Sequence, residues 1–234
     1  MAFEFNAAVG RKIIETVFES IGVYHTRKLA EDSIDFDQLY LDTFPIDKDI
    51  EFYNGVSKLV IYSPAFSEQA VIKIPFNGYY EEGDLNEYPE WLEFESADCK
   101  NGWNYCEAEY NKYKQLQKEN ISCFVAKTLP FITIFGVTCF IQEFVKPIGF
   151  CFQEKAYSFE STTKAETLIK EKRIDINSNW VTACIEFYGL ARTSKFFEYA
   201  DKVDRAILRD AHCGNYGYRL NGTPCLLDYS DFES

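Results

Sequence analysis

What this chain lacks narrows it first. It has no run of about 18 apolar residues of the kind that crosses a bilayer, and no secretory leader is recognisable at its start. None of its eight cysteines, at 99, 106, 123, 139, 151, 184, 213 and 225, falls in a Cys-x-x-Cys pair. The two histidines, His25 and His212, do not stand with cysteine at metal-ligand spacing. Basic residues are in deficit: 24 Lys and Arg against 37 Asp and Glu give a net charge of −13. That excludes a general nucleic-acid binder, because no cationic excess is available to neutralise phosphates. It does not exclude a local basic spot around a nucleotide. No internal repeat or low-complexity tract is present. Free thiols without a leader or an apolar span lead us to expect a protein of a reducing cytoplasm, with no membrane partner.

What is present is a chain able to fold. It has 234 residues, 47% hydrophobic and 17% aromatic, enough for one domain or two small lobes with a real core. Cys123, Cys139 and Cys225 sit in apolar runs and read as small buried hydrophobes.

Residues 1–47 read as an N-terminal helical extension. Asn6 can cap a helix in which Val9, Ile13, Val17 and Ile21 recur every turn, with Ile14 and Phe18 beside them and Gly22 as a stop. Such a face must dock, on its own domain or on a partner, and self-association through it stays open. The acidic stretch 35–49, broken by Pro45, reads as a connector. Strands follow. Asn54-Gly55 marks a turn before the apolar run 58–62, and Gln69 to Ile74 is a strand with Lys73 inside it. Burying a lone ammonium is costly unless it is paired, so Lys73 is either an edge residue or a functional one. Residues 77–104, rich in acids and aromatics, read as an insertion.

A helix over about 104–118 carries a stripe of Cys106, Tyr110, Tyr113 and Leu116-Gln117, with Glu107 and Glu109 near its start. Strand-like runs at 121–126, 131–135 and 138–141 lead into Gln142-Glu143-Phe144-Val145. Residues 148–177 read as linker and irregular helix. Helices are expected over 178–191, capped by Ser178, and over 194–204.

The last stretch organises the rest. It reads Leu208-Arg209-Asp210-Ala211-His212-Cys213-Gly214-Asn215, then a strand, an Asn221-Gly222 turn, and Cys225-Leu226-Leu227-Asp228-Tyr229-Ser230. A loop followed by a hairpin would gather Asp210, Asn215 and Asp228 around one point. Such oxygen donors suit a hard cation like magnesium, and a carboxylate such as Asp210 can serve as a base toward a hydroxyl.

This ordering resembles the protein kinase-like superfamily, and Asp210-x-His212-x-x-Asn215 is nearest in wording to its aminoglycoside and choline kinase branch. The resemblance covers about residues 50–230. It implies an α+β, two-lobed protein kinase-like fold: a strand-rich N-lobe over 48–145 with the insertion at 77–104, and a reduced helical C-lobe over 146–234. It also implies ATP and magnesium as cofactors. Gly55 and Ser57 would stand in a degenerate glycine-rich loop at the phosphates. Lys73, in Ala70-Val71-Ile72-Lys73, would grip the α- and β-phosphates. Glu109, or Glu107 in its place, would hold that lysine. Glu143 and Val145 would meet the adenine edge through backbone groups. Asn215 and Asp228 would hold magnesium, and Asp210 would be the catalytic carboxylate.

Departures qualify the resemblance. The motif His-Arg-Asp is Leu208-Arg209-Asp210 here, and Asp-Phe-Gly is Asp228-Tyr229-Ser230. The sequence ends at Ser234 without an activation segment or the later helices of a peptide-binding lobe, so a regulated protein kinase is not expected. His212 and Arg209 read as braces of the loop. The expected activity is phosphoryl transfer to a small-molecule or protein hydroxyl. The alternatives are a silent nucleotide-binding module acting by protein contact and, with the same residues, nucleotidyl transfer.

Overall fold

The computed structural model describes residues 4–28, 49–54, 58–75, 105–134, 137–148, 157–174, 176–209, 211 and 213–229. The insertion at 77–104, Gly55, Ser57, Asp210 and His212 lie outside the described residues. The chain is α+β. It divides into two compact units, Met1–Glu107 with Leu129–Gln142, and Ala108–Thr128 with Glu143–Ser234. The stretch Ala108–Thr128, expected with the strands, belongs to the second unit.

In the first unit, α1 (Ala7–Lys28) begins where Asn6 accepts the Val9 amide through Oδ1 at 3.3 Å. It runs past the expected stop at Gly22. One glycine costs a helix interior only about 1 kcal/mol against alanine, too little to end it. Ile13, Ile14, Val17 and Phe18 are buried in the same core as the sheet. Each contributes on the order of 2 kcal/mol. The part of the helix face from Val9 to Phe18 is thus packed inside its own unit. The preceding residues are tied down as well: Asn6 N donates to Phe66 O at 2.8 Å and Ser67 Oγ to Glu4 O at 2.7 Å.

The antiparallel sheet comprises β1 (Glu51–Asn54), β2 (Lys58–Tyr62), β3 (Ala70–Pro75), β4 (Thr128–Ile134) and β5 (Val137–Glu143), in the order β1-β2-β3-β5-β4. The Asn54-Gly55 turn signal sits between β1 and β2, which pair with Asn54 opposite Leu59. β3 pairs with β2, Val60 opposite Lys73. Alternation along β3 sends Ala70, Ile72 and Ile74 to the α1 core and leaves Val71 and Lys73 on the opposite face.

In the second unit, α2 (Tyr105–Lys118), most of which belongs here, leads to a 3-10 turn at Ser122–Phe124. The strand expected over 121–126 is therefore this turn plus a lone bridge from Val125 to Leu226. β6 (Val145–Pro147), β7 (Tyr216–Arg219) and β8 (Pro224–Leu226) form an antiparallel sheet in that order. Among the described residues four helical elements complete the unit: α3 (Phe159–Lys172), α4 (Ser178–Tyr188), α5 (Leu190–Lys202) and the short α6 (Ala206–Arg209).

The region read as irregular is the regular helix α3. Ser158 caps it, its Oγ accepting Ser161 N at 3.1 Å. Its Ser/Thr-rich sequence hid a stripe of only two buried residues, Ala165 and Leu168. The cap of α4 is Asn177, not Ser178: Asn177 Oδ1 accepts Trp180 N at 3.1 Å. Trp180, Phe196, Phe197, Phe124, Leu226 and Tyr229 form the centre of this core. Phe124 stacks on Phe196 at 4.5 Å, and Trp180 Nε1 donates to Gly217 O at 3.3 Å. Among the described residues no helix is long and apolar enough to cross a membrane. Cys139 and Cys225 are buried thiols and Cys123 is half-buried.

Candidate functional site

The β7–β8 hairpin turns at Asn221-Gly222, where Gly222 adopts φ 81 and its amide bonds Arg219 O at 2.8 Å. Its open end is closed by one carbonyl. Asn215 O accepts Leu227 N at 2.9 Å and Asp228 N at 3.4 Å. Asn215 and Asp228, apart in sequence, are thereby neighbours in space. Asn215 is 9% exposed and Asp228 is half-buried.

Tyr229 pins the next position. Its hydroxyl donates to Ala126 O at 2.8 Å and lies 2.9 Å from Thr128 Oγ1. Burial, with the charge of Glu109 beside it, pushes the Tyr229 phenol well above its ordinary pKa, so it stays neutral.

Glu109 is 0% exposed. It falls on the buried stripe of α2 with Cys106, Tyr113 and Leu116, whereas Glu107 is exposed and Tyr110 only half-buried. Burial thus separates two acids that the sequence left in competition. Lys73, in the first unit, is 2% exposed in a strand buried along its whole length. Neither charge is at home in an apolar setting without polar partners.

Glu143 is held on three sides. Its Oε1 lies 2.9 Å from Arg219 Nε. Its Oε2 accepts Lys127 N at 3.3 Å, and its own amide donates to Lys127 O at 2.9 Å. Any adenine contact by Glu143 is therefore left to its carbonyl. Val145 pairs with Arg219 in the β6–β7 ladder and packs with Ala126 and Cys225.

Arg219 was not singled out in the sequence, yet it is the hub of this unit. Its two terminal nitrogens donate to Cys123 O (3.1 Å), Pro224 O (3.3 Å), Val125 O (2.9 Å) and the Tyr188 hydroxyl (3.0 Å). The single Tyr188 hydroxyl proton is shared between Cys123 O and Pro224 O, at 2.8 and 2.7 Å. The only sequence signal for this was an arginine at the end of a short hairpin strand, which is commonplace.

The amide oxygen of Asn215 and the carboxylate of Asp228 are hard oxygen donors, a set that fits magnesium when phosphate and water complete the shell. Among the described residues no three His, Cys, Asp or Glu side chains gather as a metal cage. A set of one amide and one carboxylate falls below that count. Comparison with family models, with curated proteins and with solved structures gives no match to this chain.

Proposed function

We propose that this chain is an ATP- and magnesium-dependent phosphotransferase of kinase-like architecture, its two units serving as the strand-rich and helical lobes. The observation that carries the reading is the single Asn215 carbonyl that clamps the amides of Leu227 and Asp228. It gives a reason for the spacing of Asn215, hairpin and Asp228, since a closed hairpin brings the backbones of these two residues together. The burial of Lys73 and of Glu109 adds support, because an unpaired charge at either place would be costly.

In this reading Lys73 orients the α- and β-phosphates, and Glu109 holds Lys73 in place. Asn215 and Asp228 present their oxygens to the metal. Asp210 orients the acceptor hydroxyl or takes its proton. Glu143 and Val145 offer backbone groups to the base, and Gly55 and Ser57 have the role of contacting the phosphates. Magnesium, when bound, supplies neutralisation of phosphate charge. Catalysis is then mostly positioning and electrostatics, as phosphoryl transfer requires. The acceptor is a small-molecule or protein hydroxyl.

The test uses the full chain with magnesium and ATP labelled separately at the γ- and α-phosphates, beside Asp228→Ala. Transfer of γ-label that the variant loses at least ~100-fold is the expected result. Transfer of α-label would replace the reading by nucleotidyl transfer. Magnesium-dependent nucleotide binding without transfer to water or to any acceptor offered would replace it by the silent module. Absence of nucleotide binding would end it.

A further inference from the structure

We propose that the second unit carries an anion-binding cleft, lined by none of the side chains given a role in phosphoryl transfer, for a small molecule that joins a phosphate or carboxylate to an apolar body. The cleft has a volume of about 550 Å³, within the range of small-molecule sites. Its apolar part is Ile174, Ala200 and Leu208. Among the described residues its charged part is Lys172, Arg173 and Arg205, with Asp201 as the one acid. In a chain of net charge −13, this lining inverts the balance.

The cations come from two separate places: the end of α3 with the residue capping it, and the turn before α6. Arg173 is the informative one. It caps α3 in the left-handed conformation, φ 52 and ψ 46, a position that glycine or asparagine fills without strain. The chain keeps a long cation there instead. Among the described residues Arg173 has no ion-pair partner. Arg205 is only loosely compensated: its guanidinium lies 3.6 Å from the Asp201 carboxylate, and its side chain is 78% exposed. Lys172 has Glu198 nearby, whose carboxyl is held below its usual range first by Lys202 and then by Lys172.

Cations at a helix C-terminus ordinarily offset the helix dipole, and Lys172 alone would do that. Dipole compensation requires neither an arginine at a left-handed cap nor an apolar-sided cavity beneath it. Two guanidinium forks over such a cavity suit an anion that accepts paired hydrogen bonds and carries a hydrophobic body.

Calorimetric titration of the full chain with phenyl phosphate, and separately with benzoate, tests the site and distinguishes the two head groups. The comparison variant is Arg173→Asn with Arg205→Gln. Asparagine tolerates the backbone at 173, and both side chains are exposed. Circular dichroism checks that the variant is folded. Saturable one-to-one binding of at least one probe, weakened about tenfold or more in the double variant, is expected. Lys164→Gln, on the exposed flank of α3, should leave it unchanged, and so should Asp228→Ala. The site therefore stands or falls separately from phosphoryl transfer. Failure of both probes to saturate, equal affinity in the double variant, or loss of binding in Asp228→Ala would each overturn it.

Discussion

Glu143 and Arg219 form an ion pair in the second unit, carboxylate to guanidinium 2.9 Å, with little of either side chain reaching solvent. A residue expected to face the adenine is thus first a structural counter-ion. Removing one member leaves the other charge buried with nothing opposite it, which costs more than the pair itself contributes. Arg219→Met should therefore destabilise the protein by about 3 kcal/mol. Glu143→Gln, which keeps a hydrogen-bonding group, should cost about 1 kcal/mol. Urea unfolding midpoints measure both. An Arg219→Met midpoint equal to wild type would mean that the carbonyls around the guanidinium are satisfied without it.

The sequence made this pair hard to see for a physical reason. Local signals speak of neighbours along the chain: Asn54-Gly55 and Asn221-Gly222 foretold two hairpins, and the spacing from Glu109 to Tyr113 and Leu116 placed that acid on a helix stripe. Arg219 instead bonds groups at positions 123, 125, 143 and 188, and nothing in its own surroundings marks them. The helix α3 was obscured differently. Its Ser- and Thr-rich surface imitates a linker, because Thr162, Thr163 and Thr167 return their hydroxyls to carbonyls one turn back. Asn215 and Asp228 were legible as a spacing. The single carbonyl that joins them was not.

Stability should fall as the solution becomes alkaline. In the second unit, burial raises the Cys184, Cys225, Tyr188, Tyr218 and Tyr229 pKa values above their ordinary ones. Each of these groups stays protonated in the folded protein while its unfolded counterpart loses a proton. The unfolded state then binds fewer protons, so unfolding becomes easier as pH rises. The effect begins near the ordinary thiol value of 9.0 and steepens past the ordinary phenol value of 10.0. Each fully linked group adds about 1.4 kcal/mol per pH unit. Urea midpoints on either side of that window, with reductant present, should decline. A flat profile would contradict the burial of these side chains.

Gly217 is the position at which the small sheet tolerates no side chain. A Cβ there would stand 1.9 Å from Lys146 O, and that oxygen is backbone and cannot swing aside. Gly217→Ala should force β6 and β7 apart at a cost of about 3 kcal/mol, and the hairpin carrying Asn215 should loosen with it. Gly222→Asn, at φ 81 in the open turn, should cost under about 1 kcal/mol, because asparagine tolerates that backbone. Thermal melts of the two variants distinguish a steric requirement from a conformational one. Equal losses would mean that the ladder adjusts to a methyl group.

Glu109 and Glu107 offer the sharpest test of the phosphotransfer reading, since they share one helix and differ in burial. Glu109 is enclosed among the apolar residues of α2, beside Tyr229, and Glu107 is exposed. If the buried acid holds Lys73 toward the phosphates, Glu109→Gln should lower transfer of γ-label about 100-fold. Nucleotide affinity should fall much less, because the charge acts on phosphate orientation. Glu107→Gln should leave both unchanged. Glutamine has the shape of glutamate, so packing is kept, but the buried Lys73 loses its counter-charge in this reading and the melting temperature should fall as well. A Glu109→Gln protein that melts normally and transfers phosphate at the wild-type rate would remove Glu109 from the reaction. It would leave its burial to be explained by Tyr229 and the α2 core alone.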